Sequence, residues 1–215
     1  MFRVVLAAGL ILVAVAAAAL ARQARELNLR GDRFRPLTWQ EMTPAQRALV
    51  DDLLSGSRTS LDGPFNVLLR SPEMGNLAQE LGEYLRFRSA VPARLNEMAI
   101  LLTARAWSSQ FEWHVHKTAA LAAGLDPSLI DEIQAGRRPA RMQPDEAVVY
   151  AFSTELREGR RVTDATFREA VQLLGERGVV DLIAVMGYYD LVAMVLNVDR
   201  YPLPEGAALP FAEPR

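Results

Sequence analysis

The chain has 215 residues, 50% hydrophobic and 23% charged, with 24 basic and 26 acidic side chains and a formal net charge of −2. That is enough for one sizeable core, and it carries no basic footprint for nucleic acid. Cysteine is absent, which excludes disulfides, thiolate zinc sites, cysteine nucleophiles and every thiol-based peroxidase mechanism.

The chain opens with "MFRVVLAAGLILVAVAAAALARQ". A single arginine is followed by an unbroken apolar run from Val4 to Ala21. Ala19-Leu20-Ala21 has the small-x-small form of an export cleavage site. The run is also near the lower length limit for a membrane-spanning helix. Residues 1–21 are therefore read as a signal peptide or an N-terminal anchor, and the chain as exported or anchored. Arg22, Arg25, Arg30, Arg33 and Arg35 after the run favour the opposite, cytosol-facing orientation of an anchor. Contact with a membrane is expected only through this segment. Residues 22–42 are polar and mixed and read as a linker.

From residue 43 the pattern is helices separated by short breaks. Thr43, Pro44 and Gly56 bracket a first helix. A short helix follows over 64–71, then one capped by Ser71 with Pro72 at its first position. Residues 91–107 carry apolar side chains at 95, 98, 99, 101 and 102, which predicts a largely buried helix. A short helix stopped by Gly136 is expected over 126–136, and helices over 143–159 and 163–178 each carry a cap, an acidic first turn and a closing glycine. Residues 178–198 form a strongly apolar helix. That helix, its Tyr188-Tyr189 pair and the proline-rich tail at 201–215 are compatible with a homo-oligomer or with the centre of a monomer core. No hairpin or sustained strand alternation occurs. The fold class is all-α, a compact multi-helix bundle over 43–200.

Both histidines of the chain, His114 and His116, lie in "SSQFEWHVHKTAA" at 108–120. Two residues apart on a helix, they point about 200° from one another and cannot serve one site. With no third ligand nearby, no metal is expected. Ser109 to Glu112 matches a capping box, under which Glu112 is structural. Alternatively, Glu112 and His116 stack on one face at i and i+4, a carboxylate beside an imidazole suited to proton transfer. Glu97 sits on the apolar preceding helix, where a carboxylate is costly without a partner. A break at Ser108-Ser109 would bring it to His116; a straight helix would leave the two about 28 Å apart.

The stretch "LNEMAILLTARAWSSQFEWHVHKTAALAAGL" resembles the core of the carboxymuconolactone decarboxylase family, which includes the alkylhydroperoxidase D-like proteins. The matching positions are Glu97, Glu112-Trp113, His116 and Ala120–Leu125, and the tail "GYYDLVAMVLNVDRYPLPEG" is also similar. The resemblance spans roughly residues 40–205. It implies an all-α homo-oligomer, trimeric or larger. Relatives in the peroxidase branch hold cysteines where this chain has Ser109 and Glu112, so the resemblance implies the decarboxylase branch, a lyase acting without metal or cofactor. In that reading His116 moves the proton, Glu112 orients it and Glu97 completes the relay. Arg94, Trp113, Tyr84 and Ser109 are candidate contacts to a small-molecule substrate, an organic acid or lactone. A binding or structural protein on the same scaffold is the alternative.

Overall fold

The small polar residues and prolines that punctuate the chain set where its helices begin. The computed structural model describes residues 27–57 and 60–212; the N-terminal run read as a leader lies outside the described residues. After a 3-10 turn at Trp39–Glu41 come α1 (Pro44–Ser55), α2 (Phe65–Leu68), α3 (Pro72–Phe87), α4 (Ala93–Ala106), α5 (Gln110–Ala122), α6 (Pro127–Gln134), α7 (Pro144–Gly159) and α8 (Asp164–Asp199). The described residues are all-helical, with no strand among them.

Several starts follow the local chemistry. Thr43 Oγ1 accepts from Gln46 N at 3.3 Å while Gln46 Oε1 accepts from Thr43 N at 2.9 Å. Asp126 accepts from Ser128 N at 2.7 Å, and Thr163 from Thr166 N at 3.2 Å. Each satisfies a donor that the first helical turn leaves open. Ser71 departs from expectation, since its side chain makes no capping bond. Two boundaries also shift. Helix α7 is closed by Arg160 in the left-handed region (φ 56°), not by its glycine. The break expected at Gly178 falls at Gly175 (φ 69°, ψ 168°), and Gly178 is helical and buried.

Helix α4 is the hub. Its Leu95, Ala99 and Ile100 belong to the main core, shared with α1, α3 and α8. Its Met98, Leu101 and Ala104 belong to a second cluster with Trp113, Leu129, Ile130 and Phe211. A helix with apolar side chains on more than one face needs neighbours on each of them, and α4 packs against α5, α6, α7 and α8. Helix α8 is long and apolar enough to cross a membrane by length and composition, yet 56% of its most apolar window is buried inside the bundle.

Both flanks of the bundle are tied to it. Part of the segment read as a linker carries Leu27, Leu29, Leu37 and Trp39 against the main core. Buried Asp199 at the end of α8 accepts from Phe34 N at 2.7 Å and Asp32 N at 3.3 Å. The tail returns across α5. Gln110 bonds both backbone groups of Phe211, at 2.8 and 3.0 Å, and the Phe211 ring meets Trp113 edge-on at 5.1 Å.

Candidate functional site

The turn between α4 and α5 makes the site. Ser109 N donates to Ala104 O at 2.8 Å and Ser108 N to Arg105 O at 3.1 Å, with Ser108 at φ 48°. This is a Schellman motif built on a serine where glycine is usual. Asn197 of α8 donates to Trp107 O at 2.8 Å, and Trp107 Nε1 donates to Asp190 at 2.6 Å, which fastens the turn to the last helix. The chain therefore reverses at 107–109, and α5 folds back along α4.

That reversal brings His116 Nδ1 to 2.7 Å from Glu97 Oε2. The two side chains are only 6% and 12% exposed, so water screens the pair little. With Glu97 ionised, Nδ1 carries the proton and donates, which leaves the lone pair of a neutral imidazole on Nε2. Nε2 takes no hydrogen bond among the described residues. The ring also meets Tyr189 edge-on, with centroids 4.9 Å apart.

Glu112 differs from both earlier readings. Ser109 makes no capping bond, and its buried hydroxyl has no partner. Both carboxyl oxygens of Glu112 are likewise buried without a hydrogen bond, so neither the capping box nor a Glu112–His116 bond forms. The reason is local: the Schellman motif already satisfies Ser109 N through Ala104 O, leaving Glu112 no donor to reach back to. The Glu112 side chain points inward instead. Burial, and secondarily the charge of Asp190, raises its pKa well above the ordinary carboxyl value, against the opposing pull of Arg157. Tyr189 is also raised well above the usual phenol value, mainly by burial, and stays protonated.

His116, Glu112, Tyr188 and Tyr189 border a cavity of about 70 Å³, room for about two waters. Asp62, Phe65, Arg86, Phe111 and Val115 line both this cavity and an outer vestibule of about 380 Å³. The vestibule falls in the size range of small-molecule sites. His114 lines the vestibule, apart from His116, as the helical spacing requires. Asp62 at the mouth is already bound by Arg30 (2.8 Å) and by the Tyr201 hydroxyl (3.2 Å). Arg86 makes no hydrogen bond or ion pair among the described residues; its guanidinium lies over Phe87 at 5.4 Å.

The other candidate contacts lie elsewhere. Arg94 is held by Asp145 (2.6 Å) and by Glu146 at the start of α7. Trp113 is 1% exposed and belongs to the second core cluster. The Tyr84 hydroxyl donates to Asp181 at 3.1 Å. None of the three borders the cavity. Arg86, which the sequence reading passed over, does. Its signal was faint: an arginine in the last turn of a helix is common at any surface. Among the described residues, no group of three or more His, Cys, Asp or Glu is arranged to hold a metal.

The arrangement can move a proton. His116 lines a small cavity with its Nδ1 held by Glu97, the buried carboxyl group of Glu112 lines the same cavity, and Arg86 stands at the mouth without an ion pair among the described residues. Against known proteins, no family model matches the chain and no curated protein matches it significantly.

Proposed function

We propose that this chain is a cysteine-free protein of the carboxymuconolactone decarboxylase kind, carrying out cofactor-free acid/base chemistry on a small organic acid or lactone. The observation that carries the reading is the 2.7 Å contact between His116 Nδ1 and Glu97 Oε2 at the wall of a cavity. Nε2 removes a proton from carbon next to a carbonyl and returns it. Where the substrate loses carbon dioxide, Nε2 first takes the proton of the leaving carboxyl group, the C–C bond breaks with its electron pair left on carbon, and that pair takes the proton back from the imidazolium. Glu97 holds the ring and stabilises its charged form. Arg86 meets the substrate carboxylate at the mouth, the role first given to Arg94. Glu112, neutral and unbonded, is a second proton donor once its side chain turns into the cavity.

The resemblance that suggests this chemistry also suggests a homo-oligomer. Val180, Ile183, Met194 and Val198 are 64%, 47%, 41% and 53% exposed along α8, a spacing that supports self-association through that helix. Export or anchoring rests on the apolar run at 4–21 alone.

Native mass spectrometry of the purified protein and of His116→Gln tests the reading. A small acid retained by the parent and lost by the variant, at little change in melting temperature, supports it. A large fall in melting temperature with no ligand in either protein makes His116 structural and sinks it. The small inner volume favours a second reading, binding without turnover. Incubation of the retained acid with the protein in deuterium oxide separates the two, because only a proton-transfer enzyme exchanges the label into carbon.

A further inference from the structure

A second cleft, of about 170 Å³, opens between α4, α7 and the end of α6. Its lining is rich in arginine. Arg105, Arg137 and Arg157 line it, against one carboxylate, the exposed Glu158. Arg157 is partly used: Nη1 donates to Asp190 at 2.9 Å and Nη2 to Thr103 at 3.0 Å, while buried Nε has no partner. Arg105 makes no ion pair among the described residues, and its buried Nε is also unpartnered. The Arg137 side chain makes no ion pair or hydrogen bond among them either.

The cationic wall is not a loose surface cluster. Ser153 lines the cleft, is 2% exposed, and its hydroxyl has no hydrogen-bond partner. A buried hydroxyl left unsatisfied costs free energy and calls for an explanation. Arg105 is held in place on two sides. Its guanidinium lies over the Phe211 ring at 5.2 Å, and its Nη2 sits so close to Gly136 that an added Cβ would stand 2.9 Å away. Gly136 has φ 71°, so the tight turn after α6 is what lets the guanidinium approach. A pre-positioned guanidinium loses less freedom on binding than a free one.

We infer that this cleft is a binding site for a small oxyanion, a phosphate group or a carboxylate, gripped by Arg105 and Arg137 with Ser153 donating from the floor. The volume matches about five or six waters, enough for one such group and a short attached chain. The site shares no lining residue with the cavity of His116 and does not rest on the proton-transfer reading.

The test is titration of the full chain with inorganic phosphate and, separately, with succinate, at constant ionic strength, followed by amide NMR. Saturable shifts at Gly136, Arg137, Ser153 and Thr154 are expected for at least one of the two anions. Saturation by phosphate alone assigns a phosphate-bearing ligand, and saturation by succinate alone assigns a carboxylate. The double variant Arg105→Gln/Arg137→Gln weakens binding about tenfold or more. Ser153→Ala weakens binding without lowering the melting temperature, because its hydroxyl bonds nothing in the fold. No saturable response to either anion, or a response that survives in the folded double variant, overturns the inference.

Discussion

Glu97 and His116 lie nineteen positions apart in sequence and bond at 2.7 Å because the backbone reverses within three residues at 107–109. His116 lines the cavity, whereas Glu97 is not among its lining residues. Replacing Glu97 with Gln keeps the shape and removes the charge. The loss of a charge-assisted bond in a sparsely hydrated place should cost about 1–2 kcal/mol in urea unfolding. Nitrogen-15 NMR of the histidines should show His116 losing its preference for a proton on Nδ1. An unchanged tautomer would show that something other than Glu97 sets it.

Glu112 makes stability depend on pH in a defined direction. Its folded-state pKa is raised by burial, while in the unfolded chain it titrates near about 4.3. Between those two values the folded state binds more protons than the unfolded one, so stability falls as pH rises. The stabilising term is complete below about pH 4.3 and is lost as pH climbs to the folded-state pKa. Glu112→Gln removes it. The variant should gain on the parent as pH rises above about 4.3 in thermal melts, and parallel curves would show that Glu112 titrates in the fold as it does in the unfolded chain.

Arg94 and Arg86 should separate cleanly. Arg94→Ala leaves Glu146, 2% exposed, without its ion-pair partner and should cost about 2–3 kcal/mol, with the vestibule unaffected. Arg86→Gln removes no bond among the described residues and should change stability by no more than about 0.5 kcal/mol. It should instead weaken capture of small carboxylates by the cavity. Calorimetric binding of such an acid to both variants decides which arginine serves the site.

Gly82 on α3 is where Tyr188 of α8 comes closest, since an added Cβ would overlap the Tyr188 hydroxyl and ring. Gly82→Ala gains helix propensity but forces the phenol aside, and the net cost should be about 1–3 kcal/mol. Tyr188 borders the cavity, so the displacement should also reshape the wall. A crystal structure of the variant with Tyr188 unmoved would remove that link.

The helices were legible because their signals are local. Caps at Thr43 and Thr163, the stop at Gly136 and the apolar continuity of α4 all act within a few residues. The meeting of Glu97 with His116 was legible because only a break near Ser108 allows it. The cause of the break was not, because a Schellman motif on serine has no glycine to mark it. Arg94, expected to meet substrate, lies away from the cavity for another reason. What removes Arg94 from solution is a pair of carboxylates about fifty residues on, at Asp145 and Glu146. Nothing near Arg94 in the chain reports them. Trp113 likewise meets Phe211, nearly a hundred residues later, and only the fold shows that its place is in the core.

Asp199 sets where the cooperative unit begins. Its carboxylate is fully buried and takes the amide protons of Asp32 and Phe34, residues that sequence alone assigns to a tether. A chain cut back to Thr43 would strip that buried carboxylate of both backbone donors at the end of the last helix. The stretch from residue 27, whose Leu27 and Leu29 also pack on the main core, is thus the first described layer of the domain. A pull applied at Asp32 or Phe34 is carried straight to the C-terminal end of α8 through the Asp199 bonds, so the two ends of the bundle share one mechanical anchor.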